Sequence, residues 1–129
     1  MLNDTLANAL CCIQNAEKVG KKGCIVRKIS RVTKSVFEIM QKEGYLGEVE
    51  YIDDKKGGIA KVTLRGRINK TGTIKPRFSV KKENFEKYEK RFLPARNFGI
   101  IIVSTSKGIM THEKAKEKEI GGKLISYVY

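Results

Sequence analysis

The stretch EVEYIDDKKGGIAKVTLR, residues 48–65, is typical of a β-hairpin. Two β-prone arms, 48–52 and 60–65, flank the segment DDKKGG at 53–58, whose Asp and Gly residues are favoured in turns. Apolar and polar side chains alternate along the second arm, so they face opposite sides of the strand. The apolar side carries Ala60, Val62 and Leu64, and the polar side carries Lys61, Thr63 and Arg65.

Two helices and a strand are predicted before this hairpin. The first helix begins at the cap Asp4 and runs to about Val19, and the second begins at the cap Ser30 and ends at Gly44. The apolar run at 23–29, between the helices, predicts a strand. The resulting order, αβαββ, describes a small α/β unit. The apolar stripe of the second helix is predicted to be core: Val32, Val36, Phe37, Ile39 and Met40.

The second half of the chain is predicted to be rich in strands, after a connection at 66–72. We therefore expect an α+β fold, in which an N-terminal α/β domain over residues 1–68 packs against a β-rich C-terminal domain over residues 69–129. The elements predicted for the second half are a strand near 73–80, an amphipathic segment near 83–92, a strand at 99–105, a basic helix near 112–119 and a strand at 123–129, with glycines at 108, 121 and 122 where turns or close backbone approach are needed.

The chain has a large excess of positive charge. Its net charge is +13, from 27 Lys and Arg residues against 14 Asp and Glu residues. Residues 18–34 contain seven basic residues and residues 55–82 contain ten, and neither segment contains an acid, whereas 48–54 is acidic. Such an excess repels itself, and it is tolerated best when a polyanion neutralises it. Nucleic acid is therefore the first expected partner, and an anionic membrane surface is the second.

Residues suited to catalysis or metal binding are few. The chain has a single histidine, His112, and three cysteines, Cys11, Cys12 and Cys24, which lack Cys-x-x-Cys spacing. We expect Cys11 and Cys12 to be small core-lining side chains of the first helix, in a protein from a reducing compartment. No cofactor, metal or small-molecule substrate is predicted. Because no signal peptide or membrane span is recognisable, we expect a cytoplasmic protein. Of the two polyanions, nucleic acid is the partner we predict, and no membrane partner is expected.

The loop at 103–110, VSTSKGIM, concentrates three hydroxyl side chains and a lysine after the apolar run at 99–103. Hydroxyls both donate and accept hydrogen bonds, which suits phosphate oxygens, ribose hydroxyls and base edges. A lysine beside them supplies charge for the nucleic-acid backbone. The same hydroxyls also suit a tight turn, through hydrogen bonds to its backbone. Composition leaves both interpretations open.

An acyl-transfer enzyme is the competing catalytic hypothesis. The segment STSK, 104–107, fits the Ser-x-x-Lys motif of penicillin-binding acyl transferases, with Ser104 as nucleophile and Lys107 as its partner. In those enzymes the serine motif comes first, on a helix, whereas here KTG at 70–72 precedes it and no Ser-Asp-Asn element occurs. We therefore expect no enzyme.

Several longer strings together closely resemble one family, that of small-subunit ribosomal protein eight, in its archaeal or eukaryotic rather than bacterial type. The resemblance spans nearly the whole chain, and STSKGIM followed by GGK is its most specific part. The strings are LANAL with IQNAEK in the first helix, GRINKTGTIKPRF (66–78), LPARNFGIIIVSTSKGIMTHEKA (93–115) and GGKLISYVY (121–129).

The resemblance implies a structural constituent of the small ribosomal subunit rather than an enzyme. It implies direct binding to the central domain of small-subunit ribosomal RNA, nucleation of platform assembly, neighbouring small-subunit ribosomal proteins as partners and a location on the cytoplasmic ribosome. The family's hydroxyl loop contacts a distorted RNA helix, a role that passes here to Ser104, Thr105, Ser106, Lys107 and Gly108. The expected phosphate contacts are Lys21, Lys22, Lys28, Lys75, Arg77 and Arg96.

One segment departs from the bacterial members of this family. They carry arginines in the middle of the first helix, in Arg-Ile-Arg-Asn, where this chain has CCIQN at 11–15. An arginine contact there cannot be transferred, whereas Asn8 and Asn15 remain candidates to reach RNA. The positive charge alone would equally suit a general double-stranded-RNA binder or RNA chaperone, which remains the alternative function.

Overall fold

The computed structural model describes residues 5–53, 58–74, 78–94 and 98–129. These residues form a mixed α+β structure with antiparallel sheets, so the predicted fold class is confirmed. The elements in chain order are α1 (Thr5–Lys18), β1 (Gly23–Arg27), α2 (Arg31–Lys42), β2 (Leu46–Ile52), β3 (Ile59–Leu64), β4 (Thr71–Thr73), β5 (Ser79–Val80), α3 (Phe85–Phe92), β6 (Ile100–Thr105), β7 (Gly108–Thr111), α4 (His112–Glu117) and β8 (Gly122–Val128).

Contacts divide the chain into two compact units, the first ending at Thr71 and the second beginning at Gly72. The first unit contains the predicted αβαββ order and a three-stranded antiparallel sheet in the order β1-β3-β2. The helix cap predicted at Asp4 and the turn residues 54–57 lie outside the described residues. The predicted domain boundary after residue 68 stays a prediction.

The hairpin of β2 and β3 has the alternation that its sequence predicts. Ala60, Val62 and Leu64 are buried, while Lys61, Thr63 and Arg65 are exposed. Contacts of α1 with β1 and of α2 with β2 place the two helices on the buried side of the sheet. The apolar face of the hairpin is therefore buried by helices, and its polar face is open to solvent.

Helix α2 begins where its capping residue predicts. The Ser30 hydroxyl accepts a hydrogen bond from the Thr33 backbone N–H at 3.2 Å, which satisfies one of the free donors of the first turn. Val36, Phe37 and Met40 are fully buried beneath the helix. These three residues of the stripe predicted to be core lie at the centre of the first unit, whereas Val32 and Ile39 are only partly buried.

The prediction that Cys11 and Cys12 line the core was wrong. Cys11 is exposed and Cys12 is partly exposed. The buried side of α1 is set by residues about one helical turn apart, and this spacing leaves position 11 on the outer side and position 12 at the margin. The buried residues of α1 are Leu6, Ala9, Leu10, Ile13 and Ala16.

The second unit is organised around β6. The apolar residues of this strand, Ile100 to Val103, are all buried. Its five-stranded sheet has the order β4-β8-β6-β7, and β5 pairs with β8 beside that path. The predicted strand near 73–80 is two short strands, β4 and β5, and residues 75–77 between them lie outside the described residues. Strand β7 was not predicted, because four residues directly after a turn carry too short a pattern to recognise.

Two glycines act as the sequence predicts. Gly108 has φ +115°, a backbone conformation that residues with a Cβ rarely adopt, and it closes the turn between β6 and β7. Gly122 begins β8 opposite Thr105, where a Cβ atom would collide with the Ser104 carbonyl oxygen. Within the described residues, no helix is long and apolar enough to cross a membrane.

Candidate nucleic-acid interface

The hydroxyl-rich loop is the tight turn that connects β6 to β7. Thr105, the last residue of β6, pairs with Gly108, the first residue of β7, and Ser106 and Lys107 form the turn between them. The Thr105 hydroxyl donates to the Gly108 carbonyl oxygen at 2.7 Å and accepts the Lys107 backbone N–H at 3.2 Å. Thr105 therefore holds the turn together.

The two serines of this turn have a different environment. The side chains of Ser104, Ser106 and Lys107 are exposed, and no hydrogen bond joins either serine hydroxyl to another described residue. The turn interpretation is thus correct for Thr105, whereas the RNA contacts expected of the serines stay a prediction. The threonine hydroxyl serves the turn, while the serine hydroxyls remain available to a ligand.

The sheet adds a lysine that the sequence analysis did not single out. Ser104 on β6 lies directly opposite Lys123 on β8, and Lys123 in turn lies opposite Ser79 on β5. Side chains of directly opposite residues share one face of the sheet, with Cβ atoms roughly 5 Å apart. All three side chains are exposed. The signal available in the sequence was the GGK string at 121–123, which ends on this lysine.

This geometry does not resemble that of an acyl-transfer site. Ser104 lies on a strand and Lys107 lies in a two-residue turn, whereas the Ser-x-x-Lys motif requires both side chains on one turn of a helix. The single histidine is also unsuited to act on Ser104. His112 is only 3% exposed, and its Nδ1 accepts the Ile101 backbone N–H at 3.1 Å.

A groove between α1 and β1 brings three other predicted residues together. Asn8 and Asn15 on α1 and Lys21 in the following turn line a space of about 820 Å³. All three side chains are exposed, and the Asn15 amide donates to the Cys11 sulfur at 3.6 Å. The rest of the lining includes all three cysteines, Cys11, Cys12 and Cys24, together with Ala16, Val19, Gly23 and Ile25.

Two further predicted lysines occupy turns of the first unit. Lys22 is exposed, and its carbonyl oxygen accepts the Leu64 backbone N–H at 2.8 Å, which fixes its backbone beside the sheet. Lys28 is exposed at the end of β1 with φ +58°, and its N–H donates to the Gly58 carbonyl oxygen at 2.9 Å. The remaining predicted contacts, Lys75, Arg77 and Arg96, lie outside the described residues.

His112 is the buried member of a partly buried polar cluster that joins α3 to α4. Its Nε2 lies 3.2 Å from the Glu89 carboxylate, which also pairs with the Lys116 ammonium. Burial lowers the pKa of His112 below its ordinary value, and the nearby Glu89 carboxylate opposes that shift. A neutral imidazole with Nδ1 as acceptor donates through Nε2–H to Glu89, so the cluster ties the two helices together.

In the described part of the chain, no group of three or more His, Cys, Asp or Glu side chains could hold a metal ion.

Comparison with models of known protein families shows which family this chain is similar to. The model of the family described as ribosomal protein S8 matches residues 4–129. The matched segment includes both the hydroxyl turn and the groove between α1 and β1.

Proposed function

Because the chain belongs to the ribosomal protein S8 family, and is therefore a small-subunit ribosomal protein that binds ribosomal RNA, we propose that its target is the central domain of that RNA. In this proposal the protein binds the central domain directly and nucleates assembly of the platform. The family is structural rather than catalytic, and neighbouring ribosomal proteins are its other partners.

The observation that carries the proposal is the hydroxyl turn. The Ser104 hydroxyl, near the end of β6, and the Ser106 hydroxyl, in the turn that follows, are exposed and make no hydrogen bond to described residues. Thr105 holds this turn at the end of a strand whose apolar residues are buried. Rigid hydroxyls of this kind are suited to phosphate oxygens, ribose 2′-hydroxyls and base edges of an irregular RNA helix. Lys107 beside them and Lys123 on the neighbouring strand supply the positive charge.

In the first unit, the proposal assigns RNA contacts to two places. The amides of Asn8 and Asn15 and the ammonium of Lys21 face one groove, which suits a sugar-phosphate backbone. Lys22 and Lys28 supply further positive charge from exposed turns. The sequence adds Lys75, Arg77 and Arg96 as phosphate contacts.

The proposal is tested by comparing two RNAs across a salt series. The purified chain is titrated with a central-domain fragment of small-subunit ribosomal RNA and with an unrelated regular duplex of equal length. Because shape recognition by hydrogen bonds depends less on salt than phosphate neutralisation does, we expect the preference for the ribosomal fragment to persist as salt rises.

The alternative function gives a different result in the same titration. A general double-stranded-RNA binder or chaperone uses the charge of +13 alone, so both affinities would be equal and would fall together with salt. A preference for a fragment from another part of the ribosomal RNA would retain ribosomal binding but reject the central domain as its target.

A further inference from the structure

The groove between α1 and β1 contains a pair of thiols, Cys12 and Cys24, to which the proposed function assigns no role. Cys12 and Cys24 line it from opposite walls, one on the helix and one on the strand. Burial alternates along β1, where Ile25 is 57% exposed and Val26 is buried, and Cys24 is only partly exposed. Cys24 therefore shares the helix-facing side of the strand with Val26.

The thiol of Cys12 is directed at this strand. It donates to the Ile25 carbonyl oxygen at 3.7 Å, and the Cys24 side chain makes a hydrogen bond with the Cys12 side chain. Cys11, one residue earlier, is exposed and its sulfur instead accepts from the Asn15 amide. The fold thus selects one of the two adjacent helix cysteines to meet Cys24.

The surroundings give the two thiols different chemistry. Burial, together with the neighbouring Cys12 and Glu17 side chains, raises the pKa of Cys24 to about 12, so Cys24 keeps its proton at neutral pH. One carboxylate oxygen of Glu17 is buried without a hydrogen-bond partner in the described part of the chain. Both thiols are partly exposed, and Cys24, which keeps its proton, is the less nucleophilic of the two, so Cys12 is the thiol expected to react first with an oxidant.

We propose that Cys12 and Cys24 are an oxidant-modification site, at which a peroxide converts the two thiols of the free protein into an intramolecular disulfide. The Cys12 thiolate attacks one oxygen of hydrogen peroxide, the O–O bond breaks, and Cys12 becomes a sulfenic acid as hydroxide leaves. The Cys24 sulfur then attacks the Cys12 sulfur, and the hydroxyl group leaves with the Cys24 proton as water. In total two thiols lose two electrons and two protons, and one peroxide becomes two waters.

Peptide mapping tests the proposal, because lysines at 18, 21 and 22 separate the two cysteines after trypsin digestion. The folded full chain is treated with a small excess of hydrogen peroxide, alkylated under denaturing conditions and digested without reductant. We expect a disulfide between the peptides 1–18 and 23–27, with Cys11 alkylated. The link should form fully in Cys11→Ser and not at all in Cys12→Ser or Cys24→Ser.

The same peroxide treatment of the chain unfolded in guanidinium shows whether the fold brings the thiols together. We expect the link to form at least tenfold faster in the folded chain. Equal rates in the two states, a link that survives in Cys12→Ser through Cys11, or oxidation of Cys11 without any Cys24 link would each overturn the proposal. Circular dichroism of the three serine variants checks that they fold, and the wild-type peptide map decides the question if one does not. Since RNA is absent from these measurements, their outcome is independent of the proposed ribosomal target.

Discussion

Ser104, Thr105 and Ser106 are adjacent in sequence and chemically similar, yet their hydroxyls differ in the hydrogen bonds that they make. The Thr105 hydroxyl makes two hydrogen bonds inside the turn, whereas the serine hydroxyls make none to described residues. A strand alternates the direction of its side chains, so neighbouring residues reach different surroundings. For this reason only the threonine hydroxyl is used inside the turn, and the two serine hydroxyls are left exposed.

Replacing Ser104 and Ser106 with alanine should therefore weaken binding of the central-domain fragment without unfolding the protein. The net contribution of one hydrogen bond to the binding free energy is about 1 kcal/mol, so we expect roughly a fivefold loss of affinity for each serine. Fluorescence anisotropy with the ribosomal fragment gives the affinity, and thermal unfolding should show an unchanged midpoint. The matched control is Ser35→Ala on α2, which should bind as the wild type does. Affinities of the double variant within about twofold of the wild type would show that the turn does not bind RNA.

Lys28 offers a way to remove one charge without disturbing the backbone. With φ +58° it occupies the left-handed region, which asparagine tolerates better than most residues. We expect Lys28→Asn to fold at least as stably as the wild type and to bind all RNAs more weakly. The slope of log affinity against log salt should fall by roughly one if a phosphate contact is lost.

The control for this measurement is Lys61→Gln, on the polar face of β3 and directly opposite Glu50. Its charge already has an acidic neighbour across the strands, so the salt slope should change less. An unchanged slope in Lys28→Asn would place Lys28 outside the RNA interface.

Among the secondary structure elements, α3 and α4 are joined by the partly buried cluster of Glu89, His112 and Lys116. Burial is the main cause that lowers the pKa of His112 in the folded chain, so the unfolded chain binds a proton at this histidine more readily than the folded chain does. The stability that His112 contributes is therefore complete above its unfolded pKa, near 6.5, and is lost as the pH falls below that value.

Replacing His112 with asparagine should remove this pH dependence. Asparagine retains an acceptor for the Ile101 N–H but does not titrate, so the variant should be less stable at neutral pH by about 1–2 kcal/mol. Urea unfolding between about pH 7 and pH 5, above the range where carboxylates titrate, measures the effect. The free energy of unfolding should fall with pH in the wild type and stay nearly flat in His112→Asn. Parallel pH profiles would mean that His112 titrates alike in both states.

At the scale of the whole molecule, the net charge of +13 affects the stability of the chain as well as its affinity for RNA. Like charges repel in the compact state, and salt screens them as the Debye length falls from about 30 Å at 0.01 M to about 8 Å at 0.15 M. Without RNA, sodium chloride should therefore raise the free energy of unfolding over this range. With RNA, the same salt should lower the affinity.

Urea unfolding of the free chain at several salt concentrations measures this effect. Its matched control is the double variant Lys21→Gln and Lys22→Gln, whose two exposed charges are removed without a change in length. The variant should gain less stability from salt than the wild type does. A free energy of unfolding that falls with salt would show that attractive ion pairs outweigh the repulsion.

Most of the secondary structure and the hydroxyl turn were predictable from the order of residues. The alternation in β3, the Ser30 cap and the apolar stripe of α2 are local patterns. The structure confirms the alternation and the cap, and it buries three of the five stripe residues, Val36, Phe37 and Met40. The turn was recognisable because its residues are contiguous. The prediction that Cys11 and Cys12 lie in the core was wrong, because composition does not show which way each side chain of a helix points.

Contacts between distant residues required the folded chain. Lys123 lies beside Ser104 because β8 pairs with β6 in one register, and Cys12 meets Cys24 because α1 packs on β1. A shift of one residue in either pairing would turn these side chains to the opposite face. Strand register and helix orientation depend on how the two cores fill, which involves the whole set of packed residues at once. The amino-acid sequence alone therefore determines the short motifs, whereas the packing of the folded chain decides which residues of different elements become neighbours.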